Sequence, residues 1–169
     1  MFVYFYGGIM TQHILAGLRA LTAKKLREKG LTHEEIAKLL KVDRTVITHY
    51  LAGRIPAKEA VKCAKVTAEK FYPRDAVLFI KTVCNDDDII NTITETLISD
   101  NIDVDVAISN ECNLCKICMD VCPTKAINID DNIIHIDKNK CCGCELCQEL
   151  CPKNAIFLKI IKDKRSELD

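Results

Sequence analysis

The sequence predicts an α+β multidomain chain: an N-terminal all-α bundle, a helical connector, and a C-terminal α+β domain with short antiparallel β-hairpins. Three observations predict it. Apolar residues recur at helical spacing from Thr11 to Leu51. An acidic stretch with a strong helix start follows at Asp86–Asp88. Nine of the 11 cysteines then crowd into residues 112–151, eight of them in two matching runs, between short alternating apolar runs. The expected boundaries are 1–72 for the bundle (with 1–9 as an extra segment), 73–103 for the connector, 104–161 for the cysteine domain, and 162–169 for a charged tail.

The first nine residues, MFVYFYGGI, are apolar but too short to span a bilayer. They fit a minor structural role or an extension upstream of a start at Met10. From Thr11 to Lys29, Ile14, Leu15, Leu18, Leu21 and Leu26 form a helical stripe that Gly30 terminates. Thr32 with Glu35 three residues later is a capping box, opening a helix that buries Ile36, Leu39 and Leu40. Asp43 suits the cap of the next helix, whose apolar positions are Val46, Ile47, Tyr50 and Leu51. Gly53 ends that helix, and Pro56 fits the first turn of another, running to about Phe71.

Two short helices joined by a tight turn make a helix-turn-helix. The stretch LTHEEIAKLLKVDRTVITHYLAGRIP resembles the phage-repressor/Cro-like DNA-binding family. Ala37 stands where the helices cross, and Ile36, Leu40, Val42, Ile47 and Tyr50 fall on the family's buried positions. Lys41 replaces the glycine usual in its turn, where φ is positive. The resemblance implies double-stranded DNA as partner, with Arg44, Thr45, Thr48 and His49 facing the major groove. Lys38, Lys41, Arg54 and Lys58 would serve phosphates. A homodimer is expected, because such helices usually read two half-sites. A small helical bundle that docks protein would share the same helices.

Charge supports the division. Net charge is zero, yet residues 10–72 carry 13 Lys/Arg against 6 Asp/Glu, and residues 73–109 carry 2 against 8. A basic third beside an acidic middle points to a polyanion partner for the first part alone. In that middle segment AVLFIKTVC reads equally as helix or buried strand. Ile89, Ile90, Ile93, Leu97 and Ile98 form the stripe of the following helix. It either packs the modules together or mediates dimerisation. Cys63 and Cys84 lie outside any ligand spacing and read as small buried hydrophobes.

The cysteines form two runs of C-x2-C-x2-C-x3-C-P, the second 29 residues after the first. One is Cys112, Cys115, Cys118 and Cys122 before Pro123; the other is Cys141, Cys144, Cys147 and Cys151 before Pro152. The repeat extends to Ala126–Ile127 and Ala155–Ile156. Over about residues 104–160 the chain resembles two-cluster bacterial ferredoxins. That resemblance implies two 4Fe–4S clusters. By motif position, one takes Cys112, Cys115, Cys118 and Cys151, and the other Cys122, Cys141, Cys144 and Cys147. Zinc, which uses four ligands in paired knuckles, fits the spacing less well. Cys142, adjacent to a ligand, reads as structural. The runs 104–108 and AIFLKI are expected to pair, and INI and IIHI to flank a hairpin turn at Asp130–Asn132.

With 49% apolar and 28% charged residues the chain is globular. Metal-ligand spacing and no visible secretory signal point to a reduced, cytoplasmic setting without a membrane partner. No flavin or nucleotide motif appears, so the chain by itself is not expected to be an enzyme. The joint reading is a sequence-specific DNA-binding transcriptional regulator that senses redox state, oxygen or iron. The rival reading is a ferredoxin-type electron carrier whose helical domain docks a redox partner protein.

Overall fold

In the computed structural model the backbone is described for residues 3–167 and the side chains for 12–165. The helical half runs α1 (Val3–Glu28), α2 (His33–Leu40), α3 (Arg44–Leu51), α4 (Lys58–Lys70), α5 (Pro73–Val83) and α6 (Asp87–Leu97). The second half runs β1 (Ile102–Ile108), α7 (Ile117–Val121), β2 (Ile127–Asp130), β3 (Ile133–Ile136), α8 (Leu146–Glu149) and β4 (Ile156–Asp163). Short 3-10 turns follow α6 and β4.

The first helix starts at Val3, so the apolar opening adds turns to α1 instead of standing as a separate segment. It ends as expected at Gly30, whose φ of 95° only glycine adopts without strain. The Leu31 amide donates to the Leu26 carbonyl, closing the helix with an i−5 bond. Thr32 and Glu35 form the reciprocal capping box on α2. Its C-terminal turn places Lys41 at φ 50°, the left-handed conformation that the sequence pattern demanded of a non-glycine residue. That conformation costs about 1–2 kcal/mol. Asp43 takes the N-cap position of α3, but its carboxylate makes no capping bond. Pro56 lies ahead of α4, not in its first turn: α4 opens at Lys58 with Ala57 as cap.

The ambiguous run after Tyr72 is helix. Pro73 opens α5, and Ala76, Val77 and Ile80 face the core. Asp86 caps α6, its carboxylate accepting from the Asp88 and Ile89 amides at 3.1 Å each. The stripe read from sequence, Ile89, Ile90, Ile93, Leu97 and Ile98, is buried. Leu39, expected inside, is exposed. Cys84 is buried as expected, whereas Cys63 is exposed, since it faces outward on α4.

Both strand pairs form as expected. β1 and β4 are antiparallel, with Val106 opposite Leu158 and a register shift at Asp103/Val104. β2 and β3 pair antiparallel through a turn at Asp131 (φ 47°) and Asn132 (φ 61°), the positive pair that a tight hairpin requires.

One continuous apolar core spans both halves, from Leu18 and Ile47 through Ile80 and Ile93 to Ile102 and Ile156. Polar ties reinforce it. Ser99 donates to the Lys140 carbonyl at 2.8 Å, and Tyr72 to the Glu145 carboxylate at 2.8 Å. Arg74 bonds Glu149 at 2.8 Å. Arg165, 2% exposed, reaches the Ala68 carbonyl at the end of α4 while Asp163 holds its guanidinium at 2.7 and 2.9 Å.

Candidate cluster sites and DNA-facing helix

The two cysteine runs fold into copies of one loop. Left-handed residues recur at the 29-residue interval of the cysteines: Leu114 with Gly143, Lys116 with Glu145, and Lys125 with Asn154. Only one of the six is glycine, so the backbone repeats where the side chains do not. Lys116 and Glu145 each stand immediately before a short helix, α7 and α8. Alternation of left- and right-handed residues turns successive amides toward one concavity, a geometry suited to sulfur anions.

These loops ring two cavities, of about 360 and about 310 Å³ counting space open to solvent. Cys122, Cys141, Cys144 and Cys147 line the larger. Cys112, Cys115, Cys118 and Cys151 line the smaller. In each, the cysteine before proline, just past the end of α7 or α8, lines the cavity of the other run, and the two helices pack together. The Ala126 amide donates to Cys122 Sγ and the Ala155 amide to Cys151 Sγ, both at 3.3 Å. The hairpin closes the cavities with isoleucines: Ile127 and Ile136 over one, Ile134 over the other.

The cavities differ in exposure. Cys141, Cys144 and Cys147 are buried, and Cys122 is half-buried. In the other set Cys115 is exposed and only Cys118 is buried. Burial pushes the Cys141 thiol up to about 11 and the Cys147 thiol up to about 12. Cys142, 1% exposed, lines the larger cavity as a fifth thiol. Its hydrogen bond to Cys144 lowers that thiol and raises its own.

On the helical side, Arg44, Thr45 and Thr48 are exposed along α3, and His49 is half-buried beside them. Thr48 turns partly inward, its hydroxyl donating to the Arg44 carbonyl at 3.2 Å and lying 3.4 Å from His33 Nδ1. Of the four basic side chains expected at phosphates, Lys41 is engaged elsewhere. Its ammonium holds Asp86 at 2.8 Å and Asp88 at 3.0 Å. Asp88 also holds Lys125 at 3.3 Å, three residues past Cys122. The Asn91 amide reaches the Pro123 carbonyl at 3.4 Å. Sequence reasoning took the aspartates only as a helix start. Their signal, a triplet within 50 residues of an unusual turn lysine, acquires meaning only in three dimensions.

The model of a helix-turn-helix family matches residues 23–70, and that of a 4Fe-4S dicluster domain matches residues 111–155. The ferredoxin-type protein FwdE of Methanocaldococcus jannaschii is 34% identical over 130 residues. The match covers 77% of this chain and 84% of that protein. The chain belongs to the family of that ferredoxin-type protein. A stretch so long takes in parts of both halves, so the likeness is not confined to the cysteine runs. No solved structure matches.

This member of the ferredoxin-type family thus joins a DNA-binding helix-turn-helix domain to an iron–sulfur domain that carries two 4Fe–4S clusters. The residues present fit that cofactor. Each cavity is lined by the four thiols of one set, with Cys142 as a fifth in the larger, amides already donate to two of the sulfurs, and burial disfavours free thiolates that bound iron would compensate. When bound, the clusters supply one-electron chemistry. Among the described residues no helix is long and apolar enough to cross a membrane.

Proposed function

We propose that the chain is a cytoplasmic, sequence-specific DNA-binding regulator whose affinity for its operator follows the state of its two clusters. Cys112, Cys115, Cys118 and Cys151 hold one cluster; Cys122, Cys141, Cys144 and Cys147 hold the other. Arg44, Thr45, Thr48 and His49 read base edges, and a homodimer presents two such helices to two half-sites.

The observation that carries this reading is the junction at Asp88. It is shared between Lys41 in the helix-turn-helix turn and Lys125 beside the buried cavity. A cluster held there with Cys122 would, on gaining an electron, add negative charge three residues from Lys125. Loss of its iron would free Cys122 and the loop it anchors. Either event alters the hold on Asp88, and so on the turn that sets the angle of α3. Exposed ion pairs contribute little stability, which suits a contact that must be easily remade.

Salt-dependent binding tests the DNA end. Holo protein is expected to prefer particular duplexes and to lose affinity steeply as salt rises. Failure to bind any duplex at low salt would overturn the reading. A second reading, an electron carrier docking a redox partner, is favoured by the exposed Cys115 and by the ferredoxin-type name of the relative. It predicts rapid electron exchange with a partner oxidoreductase and no duplex binding.

A further inference from the structure

A second concave site lies on the helical half, away from the two cysteine cavities. Residues of α1, α3, α4 and the α3–α4 loop enclose a cleft of about 1080 Å³, counting space open to solvent. Its floor is apolar, made by Leu21, Tyr50, Ile55 and Val61. Its rim is cationic, made by Lys24 on α1 and by Lys58, Lys62 and Lys65 on α4. Positions 58, 61, 62 and 65 are one face of α4 at i, i+3, i+4 and i+7, so the helix turns the three cations and the valine toward the same space. The opposite face, with Ala60, Ala64, Thr67 and Ala68, packs inward.

The cations are not consumed by the fold. Lys65 lies 3.6 Å from Glu69, but among the described residues Lys24, Lys58 and Lys62 have no carboxylate partner. Ile55 is 43% exposed although it belongs to the floor. At Gly53 no atom lies within 4 Å of where a Cβ would stand, so the mouth beside the loop is open. Ligand sites combine this kind of apolar enclosure, about 300–1,000 Å³, with a few convergent polar groups.

The geometry points to a binding site for a small organic anion with an apolar body, its carboxylate, sulfonate or phosphate held by Lys24 and Lys62 and its body lying on Leu21 and Val61. Charge complementarity selects the anion, and the apolar floor selects against inorganic phosphate alone. Tyr50 and Leu51 bring the cleft against the C-terminal turn of α3. A ligand here therefore bears on the same helix that carries Arg44. That consequence for DNA binding rests on the function proposed above; the binding site does not.

The test uses the full holo chain without DNA. Anilinonaphthalene sulfonate serves as the fluorescent probe, with octanoate and octanol as competitors. One probe is expected per chain, displaced by octanoate and not by octanol. Lys24→Gln and Lys62→Gln should each weaken the probe about tenfold, as loss of a charge-assisted hydrogen bond does. Cluster absorbance and far-UV circular dichroism confirm that each variant is folded. Equal competition by octanol would overturn the proposal, as would unchanged affinity in the folded variants. So would displacement of the probe by a DNA duplex with none by octanoate, which would leave the lysines as phosphate contacts only. Duplex binding by the unmodified chain is read separately, so failure of this site is distinct from failure of the regulator reading.

Discussion

Arg165 is the largest fully buried side chain among the described residues, and its neighbours explain why it is tolerated there. Asp163 holds three of its nitrogens, counting the backbone amide, and the Ala68 carbonyl takes a fourth bond. Asp163→Asn keeps the shape and removes the charge. It should cost about 1–3 kcal/mol at neutral pH, read from urea unfolding followed by circular dichroism. The Arg165 guanidinium holds the Asp163 carboxyl below the usual carboxylate range. Its contribution is therefore fully present above pH ~4, where the unfolded carboxyl titrates, and is lost as pH falls through the lower folded value. The gap between parent and variant should shrink on that side and stay constant from pH 5 to 8. At α3, Arg44→Ala should relax preference at one base pair by about 1–3 kcal/mol, measured across a panel of single-substitution duplexes. The cysteines that line each cavity were legible residue by residue, because the motif spacing groups them. Arg165 was not: KDKRSELD reads as a solvated tail, and only a carbonyl 97 residues away reveals its burial.

At the scale of elements, α6 matters most. Its stripe and its acidic start were visible in the sequence, because both are local. Its place between turn and cluster loop was not, since it depends on pairings of Lys41 and Lys125 across 47 and 37 residues. Asp88→Asn should leave unfolding within about 0.5 kcal/mol of the parent, as for exposed pairs, yet reduce the dependence of DNA affinity on cluster state severalfold. Equal dependence in parent and variant would remove the junction from the account. The crossing of α1 and α4 makes a separate prediction. A Cβ at Gly17 would collide with the Ala60 carbonyl, a backbone atom that cannot swing away. Gly17→Ala should thus destabilise by about 1–3 kcal/mol through overpacking, despite the alanine's better helix propensity, and lower the urea midpoint. The helical character of α5 was undecided from nine residues of sequence. Burial on one side alone, at Ala76, Val77 and Ile80, decides it in the folded chain.

At the scale of the whole molecule, two similar loops have been given dissimilar surroundings. Val106, Ile136 and Leu158 back one cavity, whose Cys141, Cys144 and Cys147 are buried, while Cys115 of the other is exposed. Iron chelators and oxygen should therefore remove the cluster of Cys112, Cys115 and Cys118 first, in two resolved phases of absorbance loss. Cys151→Ser should weaken that cluster and Cys122→Ser the one beside Cys141, Cys144 and Cys147, as resolved by electron paramagnetic resonance and iron counts. The opposite assignment would refute the crossed ligand sets. The repeat made both cavities legible from sequence, but their inequality comes from what packs outside the repeat. The central claim, that cluster state reaches the DNA-binding face, is tested most directly by fluorescence anisotropy on one operator duplex selected with holo protein, titrated with the oxidised, reduced and cluster-free forms. A difference of about tenfold or more between at least two of the forms is the predicted result. Equal affinity and an unchanged footprint in all three would contradict it.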